Sequence, residues 1–271
     1  QVHQGTMTTY SVCICNYNMA ATLEESLRSV LDQVDSRFEV LVVDGRSKDG
    51  SVEILDNLEQ EYELLRYIAL PQDQDRKLGM DRHISVKEAE GKYVLTQIDC
   101  DDKYSNYIVD LADSYRQIDE QVDFSFGLAA GHITIAPRDV VLNIGSYRNV
   151  QAAEDLELWR RMIAVDGFIS LDVDQFWETI GYNKTRMEKV NRVLTMRISE
   201  FQLGMSYWSK IKDEVLKDSS VTHILKDIVI STVAYPIAKT REQFEMPDDM
   251  HRFEVYRREN EKRIMTSSEI E

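Results

Sequence analysis

The sequence predicts an α/β protein: a mostly parallel, Rossmann-like central sheet flanked by helices, followed by a helical C-terminal extension. Three observations carry that expectation. Apolar, β-forming runs alternate with segments of helical periodicity four times in succession, and repeated strand–helix units build parallel sheets. The fourth run, Tyr93–Ile98, is apolar enough for a central strand covered on both faces, and it breaks off into Asp99-Cys100-Asp101-Asp102. Beyond about residue 181 the strand pattern gives way to apolar residues spaced three and four apart.

Tyr10–Cys15 alternates and is rich in β-formers, so it forms the first strand, ending in the polar turn Asn16-Tyr17-Asn18. The next helix is expected to start at a capping box, Thr22 with Glu25, and to place Leu23, Leu27, Val30 and Leu31 on one face. Phe38–Val43 is the second strand, stopping at Asp44-Gly45-Arg46-Ser47-Lys48-Asp49-Gly50 before a helix carrying Ile54, Leu55 and Leu58. Leu65–Leu70 is a third, shorter strand and Pro71–Leu78 a polar loop. A helix then runs from about Met80 to Glu90, with Gly91 as its terminator. Tyr107–Ile118 is helical, and Phe124–Leu128 and His132–Ala136 are short strands that form a hairpin or flank the main sheet. A helix over 153–166 has Leu156, Trp159, Met162 and Ile163 on one face and Glu154-Asp155 at its start. Past Phe168–Val173 the chain turns helical: Met187, Val190, Leu194, Ile198 and Phe201 recur over Lys184–Leu203, and an apolar segment follows over Val221–Ala238. Core packing against the preceding domain is the plain reading of the 184–203 face; an oligomer or membrane-facing surface is the sharper one. Arg252–Arg263 is a charged tail, and Gln1–Thr6 are given no structural role.

At 271 residues and 43% hydrophobic, the chain can bury a full core. Its 48 acids against 32 bases, a net charge of −16, argue against nucleic acid or an anionic membrane as the main partner. Lysine is scarcer than arginine, 13 to 19, which with the acid excess hints at a high-salt source. Cys13 and Cys15 alternate along one strand and Cys100 lies among acids, so no disulfide framework is expected, and a reducing, cytoplasmic interior is the simplest setting. Asn183-Lys184-Thr185 matches a glycosylation acceptor, which matters only in a secretory compartment. The nearly uncharged run Ile228–Ala238 falls short of the ~20 residues that span a bilayer, so the expectation is a soluble protein, at most peripheral to the inner face of a membrane.

The acids at the end of Tyr93–Ile98 sit where open α/β sheets bind their ligands, at the carboxyl edge. Hard oxygen donors at Asp-x-Asp spacing suit Mg²⁺ or Mn²⁺ better than a soft metal, and point to a phosphorylated substrate. An acidic strand-to-helix turn is the ordinary structural alternative. His132, on a short strand, reads as a satisfied core histidine and is left outside the site.

Four segments, in order, resemble the family-2 glycosyltransferases of GT-A fold. Ser11-Val12-Cys13-Ile14-Cys15-Asn16-Tyr17-Asn18 is similar to that family's opening strand and Tyr-Asn turn, with Cys15 where proline is commoner. Val42-Val43-Asp44-Gly45-Arg46-Ser47-Lys48-Asp49-Gly50-Ser51 is similar to its second-strand motif, with Arg46 where small residues are usual. Leu78-Gly79-Met80-Asp81-Arg82-His83 and Glu90-Gly91-Lys92-Tyr93-Val94 resemble the segment leading into the Asp-x-Asp (DXD) strand, with His83 in place of asparagine. Glu154-Asp155-Leu156-Glu157-Leu158-Trp159-Arg160-Arg161 is similar to the family's acid pair and helix. The likeness covers roughly residues 8–175.

The resemblance implies a catalytic domain over 7–180, with a donor half to about 102 and an acceptor half to 180, and a C-terminal extension over 181–271. It implies metal-dependent, inverting transfer of a sugar from a UDP- or GDP-linked nucleotide-sugar to a hydroxyl of a glycan or lipid-linked acceptor. Asp101 is then the first metal ligand, for Mn²⁺ or Mg²⁺; Asp99 binds the metal through water or holds the donor ribose, and Asp102 supports. Asp155 is the general base and Glu154 its reserve, although acids at a helix start also have the macrodipole to explain them. Asp44 contacts the nucleotide base or caps the following turn, Tyr17 stacks on that base or is simply an exposed aromatic, and Arg82 grips the diphosphate with two donors or forms a surface salt bridge. A homo-oligomer through the C-terminal helices is a further expectation. Two other functions compete: a sugar nucleotidyltransferase, which would want a glycine-rich basic loop where Asn16-Tyr17-Asn18-Met19 stands, and a nucleotide-sugar-binding module without turnover.

Overall fold

The computed structural model describes residues 8–181, 185–216 and 220–245. The charged tail at 252–263, the residues before Met7, and Asn183 and Lys184 lie outside them. In chain order the elements are β1 (Tyr10–Asn16), α1 (Ala20–Leu31), β2 (Phe38–Asp44), α2 (Ser51–Glu61), β3 (Leu65–Ala69), α3 (Leu78–Glu88), β4 (Tyr93–Asp99), β5 (Asp102–Tyr104) and α4 (Ile108–Asp119). There follow β6 (Gly127–Ala130), β7 (Ile133–Pro137), α5 (Arg138–Asn143), α6 (Glu154–Ala164), β8 (Phe168–Leu171), β9 (Trp177–Thr179), α7 (Arg186–Gln202), α8 (Tyr207–Leu216) and α9 (Val221–Lys239).

The main sheet has seven strands in the order β3-β2-β1-β4-β7-β6-β8, which puts β4 at its centre. β3, β2, β1 and β4 run parallel, and β7 enters antiparallel to both β4 and β6. The two short strands thus do both things the sequence left open, pairing as a hairpin and joining the main sheet. Strand alternation separates two cores. Tyr10, Val12, Ile14, Val40, Val42 and Leu95 face α1, α2 and α4, while Cys13, Leu41 and Val94 face α3, α5 and α6. Leu95→Ala, which empties a wholly buried site at the sheet centre, is expected to cost about 3 kcal/mol, read from the urea midpoint at unchanged slope.

β4 is interrupted just before its acids. Val12 pairs with Leu95 but Ile14 pairs with Ile98, so β4 holds one residue more than β1 over this stretch. Gln97 absorbs it at φ 59°, and a closed ring of hydrogen bonds holds the bulge: Thr96 Oγ1 donates to Gln97 Oε1 (2.7 Å), Gln97 Nε2 to the Tyr147 hydroxyl (2.6 Å), and that hydroxyl to Thr96 Oγ1 (2.7 Å).

Several local expectations are corrected. α1 starts two residues before Thr22, which is buried and donates to the carbonyl of Met19, while Glu25 pairs with Lys103; no capping box forms there. The chain's capping box is Thr185 with Glu188, at the head of α7. Gly91 does not terminate α3. It lies against β1, where a Cβ would come 2.7 Å from Ser11 N. Gly79 has the same role at α3: a Cβ there would sit 1.8 Å from the Arg148 carbonyl, so Gly79→Ala is expected to force α3 off the 148–150 segment and lower the melting temperature. The apolar face of α7 is divided. Ile198 and Phe201 pack on Ala234 and Ala238 of α9, Leu203 on Val150 and Ala153, and Met187 and Val190 are exposed. The run Ile228–Ala238 is part of a 19-residue helix that is long and apolar enough, by length and composition alone, to cross a membrane.

Candidate active site

The bulged end of β4 delivers Asp99 to the face that carries α3. Its half-exposed carboxylate accepts Arg82 Nη2 at 2.9 Å. Its backbone is fixed on both sides, the N–H donating to the Tyr104 hydroxyl (2.7 Å) and the carbonyl accepting Ser26 Oγ (3.1 Å). Three residues on, β5 pairs with β9 and draws Asp102 inward, where its Oδ1 accepts the Thr179 hydroxyl at 2.7 Å. Its Oδ2 lies 3.6 Å from His132 Nε2. His132 sits on the turn between β6 and β7, edge-on to Trp177 with ring centroids 4.3 Å apart.

Asp99, Asp102 and His132 each offer a donor atom, and these lie within 4.8 Å of one another. His132 Nε2 is buried without a hydrogen-bond partner among the described residues. Two carboxylates and an imidazole with a free nitrogen suit a hard divalent cation such as Mn²⁺. Of the expected ligands, Asp99 and Asp102 fall in this group of three. Asp101 lines the same cavity but stands outside the group, and its own carbonyl is held by Ile180 N at 2.7 Å. His132, which the sequence reading leaves outside the site, stands beside them.

Across the cavity, a left-handed turn at Ala153 (φ 59°) opens α6 and presents Glu154 and Asp155 in its first turn. Glu154 is buried and accepts Arg82 Nε at 2.9 Å. Burial pushes its carboxyl above the ordinary range, with Arg82 opposing and Asp155 adding to the rise. Asp155 is half-buried, faces the cavity, and accepts Leu156 N at 2.7 Å. Arg82, itself buried, thus ties the two acid clusters together through its guanidinium; it lines the cavity, and its buried Nη1 has no hydrogen-bond partner among the described residues. The nearby thiols are inert: burial raises Cys15 to about 12 and Cys100 well above its usual value.

The cavity, about 940 Å³, is also lined by Tyr17, 61% exposed, and by Arg46. Asp44 is not on its wall. Wholly buried, its carboxylate accepts Asn16 Nδ2 (2.6 Å) and Ser47 Oγ (2.6 Å) on one oxygen, and the backbone N–H of Arg46 (2.9 Å) and Ser47 (2.8 Å) on the other. It shapes the 44–47 turn that presents Arg46, which is the ordinary turn role of an aspartate. His83 lies on α3 and does not line the cavity. From the extension, Asn191, Arg192, Thr195 and Met196 of α7 close one side.

Comparison with known proteins places this geometry. Residues 11–128 match the family model described as glycosyl transferase family 2. TuaG of Bacillus subtilis, assigned to teichuronic acid biosynthesis as a glycosyltransferase, is 32% identical over 94 residues, covering 35% of this chain and 36% of its own length. The match thus spans about a third of that relative. Among solved structures, S. aureus TarS residues 1–349 in complex with UDP-GlcNAc superposes with a TM-score of 0.55 at 19% identity, over 83% of this chain and 71% of that one. The mannosyltransferase PcManGT of Pyrobaculum calidifontis, in complex with GDP-Man and Mn²⁺, gives 0.58 at 13% identity over 95% and 81%. Residues 11–128 thus match glycosyl transferase family 2, and the chain has the GT-A fold.

Proposed function

We propose that this protein transfers a sugar, with inversion, from a nucleotide-diphosphate donor to an acceptor hydroxyl, using a divalent cation and Asp155 as general base. One observation carries the reading: a single cavity is lined by Asp99 and His132, with Asp102 grouped behind them, and also by Asp155, and Arg82 bonds to both acid-bearing elements. Displacement with inversion needs charge neutralised where the diphosphate leaves and a base on the opposite face of the sugar. A cation held by Asp99, Asp102 and His132 would supply part of that neutralisation. Arg82 would contribute the rest through Nη1, a donor with no hydrogen-bond partner among the described residues. Asp155 is the acid with both cavity access and a free lone-pair direction, whereas Glu154 is engaged in its pair with Arg82. Tyr17 offers an exposed aromatic face for the nucleotide base. The acceptor, a glycan or a lipid-linked saccharide, would lie between the start of α6 and α7.

The test is a product assay on the purified protein with a panel of UDP- and GDP-sugars, with Mn²⁺ and with chelator. Transfer or donor hydrolysis that depends on the cation supports the reading, and turnover unaffected by chelator removes the metal from it. Binding of Mn²⁺ alone, followed by electron paramagnetic resonance, is expected to weaken by at least about tenfold in both Asp102→Asn and His132→Ala. Equal affinity in His132→Ala would return the ligand role to Asp101.

A further inference from the structure

The charge of this protein is not spread evenly. Residues 8–181 carry 33 Asp or Glu against 16 Lys or Arg, whereas residues 185–245 carry 8 against 10, Asp213 and Glu214 of α8 included. The overall −16 that argues against an anionic partner therefore belongs to the catalytic domain, not to the helical unit.

The helical unit also carries apolar side chains on its outside. α9 is apolar on all sides rather than along one stripe, and such a helix is ordinarily buried in protein or in lipid. Here Val221, Leu225, Val229 and Val233, one turn apart, are 72%, 58%, 63% and 48% exposed. On α7, Met187, Val190 and Val193 are exposed too. The two helices run side by side in the same direction, since Arg197 grips Asp227 and, further along both, Phe201 meets Tyr235 edge-on. Their first turns therefore come together at one end of the unit. At that end Arg186, Lys189 and Arg192 of α7 and Lys226 of α9 are exposed, while Glu188 is engaged in the Thr185 cap.

We propose that this end of the helical unit docks on the surface of an anionic lipid bilayer, with α9 lying along the interface. Its exposed Val and Leu side chains would enter the acyl boundary and the four cations would sit at head-group level, so that apolar burial and attraction to anionic head groups act together. α9 lies on the bilayer rather than spanning it, because the Arg197–Asp227 pair and the buried Ser231, Ala234 and Ala238 fasten it to α7. A symmetric contact with a second copy fits less well, since it would set the same four cations against each other. Docking has a consequence that rests on the glycosyltransferase reading. Asn191, Arg192, Thr195 and Met196 line the cavity from α7, so the cavity mouth would open at the lipid surface, where a lipid-borne acceptor presents its hydroxyl.

The experiment is flotation of the full chain with vesicles of phosphatidylcholine alone or of equal parts phosphatidylcholine and phosphatidylglycerol, at low and high salt. The protein is expected to float with the anionic vesicles only, and less at high salt. Leu225→Glu/Val229→Glu and Lys189→Glu/Lys226→Glu should each weaken binding about tenfold or more, with melting temperatures unchanged because all four positions are exposed. Three results would overturn the proposal: no flotation, equal flotation with neutral vesicles, or wild-type flotation of Leu225→Glu/Val229→Glu. A dimer in sedimentation that the same double substitution dissociates, without vesicle binding, would assign the face to a second copy instead. Nucleotide-sugar binding, measured separately without vesicles, tests the catalytic reading alone.

Discussion

Asp155→Asn is expected to lower sugar transfer by about 10²–10⁴-fold while leaving nucleotide binding unchanged, since that is the range a positioned general base supplies. The amide keeps the size of the side chain and an oxygen for the Leu156 N–H, so α6 should start as before. What is lost is the ability to take a proton from the acceptor hydroxyl. Isothermal titration with UDP or GDP and Mn²⁺ checks the first half of the expectation, and a product assay at saturating donor checks the second. Glu154→Gln separates the two acids, because Glu154 is buried against Arg82 and should act on the position of that arginine rather than on the acceptor proton. If Asp155→Asn retains transfer while Glu154→Gln loses it, the base assignment is reversed.

Arg82→Met is expected to be the most destabilising single change at the site, by about 3–5 kcal/mol at neutral pH, because it strands a buried carboxylate. The sign of its pH dependence follows from Glu154. Burial already holds that carboxyl above its unfolded value, so the folded state keeps its proton to higher pH than the unfolded chain does. Stability from such a group is full below the unfolded value and is lost as pH rises through the folded one. Removing Arg82 removes the charge that opposes this, and the folded value rises further. The deficit of Arg82→Met relative to wild type should therefore be small near the ordinary carboxylate range and grow toward neutral pH. Denaturant midpoints at several pH values measure it. Adding Glu154→Gln should recover much of the loss, and failure to do so would locate the damage at Asp99 instead.

The fold was legible because strand follows helix four times over, so pattern alone orders the parallel half of the sheet. What escaped notice was short. β5 and β9 have three residues each and α5 has six, too few for a period to repeat. The two acid clusters were visible as Asp99–Asp102 and Glu154-Asp155, because carboxylates beside apolar runs stand out. Their link through Arg82 was not, since it joins residues 82, 99 and 154 across the sheet edge. The place of His132 beside Asp102 was not legible for the same reason. Its surroundings in sequence are a short apolar strand, and only the hairpin's place beside β4 brings it to Asp102. Asp44 shows the converse: a conspicuous motif aspartate is bonded to its own turn and to Asn16 of β1 and does not line the cavity. The charge contrast between the two halves was countable from the start but hidden in a single total.

The extra residue in β4 works as a phase shift in a two-step register. Leu95 and Ile98 are three apart yet face the same core, which an unbroken strand would forbid. Everything beyond Gln97 is therefore aimed by count rather than by chemical identity. Deleting one residue at 96 or 97 would leave every acid of Asp99–Asp102 in the chain, yet turn Asp99 away from Arg82 and toward α1. The length of this strand thus aims the site as much as the identity of its acids does, and a variant library that preserves its spelling but trims this strand by one would lose it.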